Sequence, residues 1–244
     1  MAWHGETVMR WIAGLVLALG SLAAGPALSA DPVTEAMQGA YVPYRAALFR
    51  TNSQAQLESE QAVAQAQQAW MTLSERYGSR PPAPYDRDPK FADTLAAVAA
   101  VYERAAQQIR GQGLPQAHAT LEQVRDLMAD LRRRNDVVVY SDHMNAYHAE
   151  MEKLLEHGAQ TLASPQGPLR LMEQVGSLAY LAHRLRSEAP AALLREAEFT
   201  PLLEAVEASV SALRAAALSQ DVAAARAAIG KLKGPYSRLF LKFG

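Results

Sequence analysis

From Asp31 to Gly244 the chain contains one brief strand-like run, Val137-Val138-Val139-Tyr140, and no segment that alternates apolar and polar residues with strand composition. Alanine, leucine, glutamine, glutamate and arginine dominate the rest, the residue types that lose least on entering a helix. The fold is therefore predicted to be all-α. Prolines, glycines and capping acids divide it into helices over about 33–50, 54–77, 89–110, 115–135, 141–158, 168–188, 200–218 and 222–233, with ends good to a few residues. Asp88-Pro89, Pro115 and Pro168 open helices, where a proline's missing N–H costs nothing, and Gly111-Gln112-Gly113 ends one. Gly234-Pro235 is predicted to break the last helix ahead of an aromatic tail, Tyr236 to Phe243.

These segments pair into four hairpins with short polar or glycine connections, the spacing of antiparallel neighbours in a bundle. The prediction is an antiparallel helical bundle of about eight helices, as one body or two four-helix bundles, with possible hinges at 79–89 and 188–200. The hairpin arrangement resembles that of helical periplasmic bundles such as cytochrome c′, in architecture only. The Cys-x-x-Cys-His motif of that family is absent, so no family residue maps onto this chain.

The first thirty residues read as a secretory signal peptide. Arg10 precedes the apolar run Trp11 to Leu19, and Ala27-Leu28-Ser29-Ala30 supplies small residues for cleavage after Ser29 or Ala30. The apolar run is shorter than the roughly 20 residues a membrane span needs. Met9 gives a cleaner positive-then-apolar order than Met1 and is the expected start. With no cysteine for lipid attachment and no second arginine beside Arg10, the expectation is a mature periplasmic protein of about 214 residues without a membrane span.

The chain has no cysteine, which excludes thiol catalysis, thiolate metal sites, iron–sulfur clusters and covalent haem. Its 24 basic and 25 acidic residues nearly cancel, with or without the leader, so nucleic acid is not an expected partner. No His-Glu-x-x-His, Gly-x-Ser-x-Gly or phosphate-cradling glycine loop is present, and no enzymatic activity is expected.

Chemistry-bearing residues concentrate in the fourth to sixth helices, which hold His118, His143, His148, His157 and His183 together with Met128, Met144, Met151 and Met172. Met144, His148 and Met151 are spaced by four and three and share one helical face, as does Leu155. Counting across the connections sets Met128 opposite His148, His118 opposite His157 and His183 opposite His143. The candidate metal ligands are His143, Met144, His148, Met151, His183, Met128 and His118. Imidazole with thioether favours copper, particularly Cu(I), and adding Asp142, Glu122 or Glu152 moves the preference towards zinc, iron or nickel. Methionines on an apolar face are ordinarily core filler, and half-buried histidines ordinarily bond to neighbours. Non-covalent haem b on His148 and a methionine is a further possibility.

Arg132-Arg133-Arg134 suggests either an anion site or charges that complement a helix C-terminus. Tyr41, Tyr44 and Phe49 near one end, Trp70, and Tyr236, Phe240 and Phe243 near the other read as core anchors, with the chain ends packed together. The expected function is an exported bundle that binds a transition-metal ion as carrier, buffer or sensor. The alternatives are a cofactor-free module that binds a periplasmic partner protein, and a haem-binding bundle.

Overall fold

Helix-forming composition between strong breakers gives an all-helical antiparallel bundle, with no strand among the described residues. The structure, a computed structural model, describes residues 31–244, and the expected leader lies outside them. In chain order the elements are α1 (Pro32–Asn52), α2 (Gln56–Tyr77), a 3-10 turn (Tyr85–Arg87), α3 (Phe91–Arg110), α4 (Leu114–Arg134) and α5 (Tyr140–Ala163). They continue with α6 (Gly167–Ser187), α7 (Ala191–Leu194), α8 (Phe199–Leu218), α9 (Val222–Gly230) and α10 (Lys233–Phe243). Among the described residues, no helix is long and apolar enough to cross a membrane.

The predicted hairpins form: α1 packs on α2, α3 on α4, α5 on α6 and α8 on α9. Local chemistry fixes their ends. Asp31 accepts the N–H groups of Val33 and Thr34 at 3.1 and 2.8 Å ahead of Pro32, and Asp221 accepts that of Ala224 at 2.9 Å, satisfying donors that have no partner inside the helix. Residues 31–244 make one unit whose core lies in two clusters. The first, from α1 to α4, centres on Trp70, Tyr44, Tyr102 and Leu121, and the second, from α5 to α10, on Tyr147, Phe199, Leu203 and Leu239. Phe240 packs against both.

The division falls at 135–139, where Asp136 takes a left-handed backbone (φ 54°) and Val138 is exposed. The strand-like run is thus an irregular connector that leads directly into α5.

Two boundaries differ from expectation for identifiable reasons. The fifth helix continues past Gly158 to Ala163, because that glycine is a contact point and not a cap. A Cβ there would stand 2.7 Å from Ile229 Cδ1, so its absence lets α9 approach α5 closely. The last break falls at Lys231-Leu232 and not at Gly234-Pro235, which lie in the first turn of α10, where proline is tolerated.

The chain ends meet as expected. Tyr41 packs edge-on against Phe240 with ring centroids 6.4 Å apart, and Arg45 Nη1 donates to the Phe240 carbonyl at 3.3 Å.

Side chains more than backbone join the two bundles, because α4 lies on α3 and α1 whereas α5 lies on α6 and α9. Arg132, buried on α4, makes a two-toothed ion pair with Asp142 at the start of α5, and Tyr41 donates to Asn145 Oδ1 at 3.2 Å.

Candidate functional site

Between the bundles, where α1, α4, α5 and α10 converge, lies a cavity of about 440 Å³. Leu48, Phe49, Met151, Tyr236, Phe240 and Leu241 give it an apolar, largely aromatic side. The opposing polar set includes His118, Glu122 and Arg125 from α4, His148, Glu152 and Glu156 from α5, and Lys233 from α10. Helical spacing makes this convergence possible, since positions 118, 122 and 125 share a face of α4, and 148 and 152 a face of α5.

Arg125 organises the set. Its guanidinium pairs with Glu122 and donates to His148 Nδ1, while its Nε has no hydrogen-bond partner among the described residues. Because a guanidinium only donates, His148 Nδ1 is the acceptor and the neutral ring's proton sits on Nε2, 3.3 Å from Glu152 Oε1. Tyr236 stacks on the same imidazole at 5.3 Å between centroids.

On the α4 side, His118 Nδ1 is 3.2 Å from the Leu48 carbonyl, which places the proton there, and Nε2 faces Glu122 Oε1 at 3.6 Å. Lys233 reaches Glu152 at 3.3 Å. The hydrogen bond from His148, opposed by burial and aided by Lys233, pushes the Glu152 carboxyl down to about 2. Burial lowers His118 and His148 below the ordinary imidazole value, partly offset by Leu48 and Glu152 respectively.

These shifts fix a pH dependence. Folded His118 and His148 hold protons less tightly than the unfolded chain, so their stabilisation is complete above an unfolded value of about 6.5 and is lost progressively as pH falls below it. Glu152 acts later, losing its contribution between the ordinary carboxyl range and about 2. The thermal midpoint is expected to be highest above pH 7 and to decline towards pH 5, and His148→Gln should flatten that decline. Equal slopes for the variant and the parent would show that His148 is not a source of it.

Of the sequence-predicted metal ligands, the structure brings His118 and His148 to one cavity, with Met151 at its wall. Met144 and Met151 belong to the second core cluster and Met128 to the first, all fully buried. His143 is half-buried, and burial aided by Arg184 lowers it below the ordinary imidazole value against the opposing pull of Glu188, whereas His183 is exposed. His157 is exposed as well.

The counted register is offset by one turn at one pair: Arg125, one turn from Met128, meets His148. His118 shares its cavity with His148 and with Glu156, the chain neighbour of its counted partner His157. His183 is exposed and His143 half-buried. Among the described residues no group of three or more histidine, aspartate or glutamate side chains is placed to hold a metal ion.

The arginine run is fully occupied: Arg132 by Asp142, Arg133 by Asp130, and Arg134 by Asp88 and Asp130. Sequence reasoning missed Arg125 and Lys233. The available signal was a repeat, His118-Ala119-Thr120-Leu121-Glu122 and His148-Ala149-Glu150-Met151-Glu152, which sets matched pairs on two helices. No family model, curated protein or solved structure matches the chain. Functional assignment therefore rests on the cavity and its chemistry.

Proposed function

We propose that this is an exported, non-catalytic binding protein of the periplasm, and that a small amphipathic organic molecule occupies the cavity between its two bundles. The observation that supports this reading is the cavity itself. Its volume of about 440 Å³ falls in the range of about 300–1,000 Å³ usual for small-molecule sites, and an aromatic wall faces a few fixed polar groups. Perturbed titrations at His118, His148 and Glu152 fit a binding site more than an exposed surface. The periplasmic location follows from the leader's composition.

A transition-metal ion is the second reading, favoured by the two His–Glu pairs that line one cavity. Imidazole and carboxylate as the polar donors would select zinc, nickel or iron before Cu(I). Against it stand two cations, Arg125 and Lys233, in the same cavity. Both nitrogens of His148 are engaged, which also leaves no lone pair for haem iron.

The test is native mass spectrometry and elemental analysis of protein recovered from the periplasm without added ligand, followed by thermal-shift screening of amphiphiles. An organic adduct, or stabilisation by an amphiphile, is the expected result. Stoichiometric metal would replace this reading with the second. Bare polypeptide that no amphiphile stabilises would overturn it.

A further inference from the structure

We infer that the molecule in the cavity carries a carboxylate or similar anionic oxygen group, and that Arg125 holds it. This names the ligand class for the binding reading above and rests on it. Only one member of the Arg125–Glu122 ion pair is able to leave. Arg125 and Glu122 neutralise one another, but their side chains are 8% and 32% exposed. Glu122 is thus able to swing into water and be hydrated there. Arg125 is wedged between α4 and α5, donates to His148 and has no such exit.

A ligand entering the cavity therefore exchanges with the anion of the pair and not with the cation. An incoming ammonium group or metal ion would take Glu122 and leave a buried guanidinium without a counter-charge, a strongly unfavourable arrangement. An incoming carboxylate keeps the guanidinium paired, beside an Arg125 Nε that has no hydrogen-bond partner among the described residues. Planar carboxylate and guanidinium match in a two-bonded geometry that Glu122, tethered three residues away on the same helix, is poorly placed to adopt.

The other two carboxylates of the cavity do not compete for Arg125: Glu152 is already held by His148 and Lys233, and Glu156 is exposed beside His157. Phe49, Tyr236 and Phe240 then receive the apolar part of the same molecule.

The probes are decanoate, decanol and decylamine below their aggregation limits, titrated calorimetrically into the protein and two variants. Decanoate is expected to bind one-to-one and at least about tenfold more tightly than decanol, the weight of a charge-assisted hydrogen bond, with decylamine weakest. Glu122→Gln removes the internal competitor from a partly exposed position and should tighten decanoate about three- to tenfold while leaving decanol unchanged. Arg125→Met should erase the preference for decanoate over decanol, with folding checked by circular dichroism.

Decylamine binding as tightly as decanoate, or decanoate binding weakened by Glu122→Gln, would overturn the assignment of an anion while leaving the cavity as a site. No binding of any of the three would remove both. Circular dichroism checks both variants, and because glutamine keeps an oxygen acceptor beside Arg125 the Glu122→Gln arm stands even if Arg125→Met fails to fold.

Discussion

Asp142→Ala is expected to lower the free energy of unfolding by about 3–5 kcal/mol, the usual effect of removing one partner from a buried ion pair. The cost comes from what remains. Arg132 is 2% exposed, and its carboxylate partner faces it across the junction between the two bundles. Asp142 also accepts the Val139 N–H at 3.0 Å, so the same substitution uncaps the first turn of α5. Asp142→Asn keeps an acceptor for the cap while removing the charge, and should fall between Ala and the parent. Urea denaturation followed by circular dichroism measures the loss. A change below about 1 kcal/mol for Asp142→Ala, the level of an exposed pair, would show that the junction does not depend on it.

Trp70→Ala is the second large effect, at about 3–5 kcal/mol for a fully buried aromatic side chain. Trp70 is 1% exposed at the centre of the first core cluster, and its indole N–H donates to the Leu95 carbonyl at 2.9 Å, tying α2 to α3. Truncation empties the cluster and removes that tie between the helices. In the parent, Trp70 is the only tryptophan in residues 31–244 and therefore reports the first bundle by fluorescence, while circular dichroism reports both. Coincident transitions by the two probes are expected if the bundles unfold as one unit. A Trp70→Ala loss under 1 kcal/mol would contradict the packing described for the first cluster.

The hairpins were legible in the sequence because their signals are local. A capping aspartate, a first-turn proline or a left-handed residue such as Gln112 acts within a few residues of where it sits. The relation of α4 to α5 was not local. Counting across a short connection assumes that consecutive helices pack together, but the chain at Asp136 to Val139 carries α5 onto α6 and α9 instead. The register consequently moved by one turn, and Arg125 stands where Met128 was expected.

Helical periodicity likewise placed Met144, His148 and Met151 on one face. It did not show that the boundary between core and cavity runs through that face, with Met144 sealed in the core and His148 facing the polar set. Glu122 and Glu152 had been visible as neighbours of histidine. Their meaning depended on a buried arginine that no pattern within one helix reveals.

Whether the cavity between the bundles is a binding site is read from the imidazole Cε1–H resonances. His118 and His148 line the cavity and His157 pairs with Glu156 at its edge, whereas His143 and His183 lie elsewhere. On titration with decanoate, the signals of His118 and His148 are expected to move together along one saturable curve while those of His143 and His183 stay in place. A titration in which His118 and His148 do not move, or in which they drift alike with His143 and His183 without saturation, would contradict binding there.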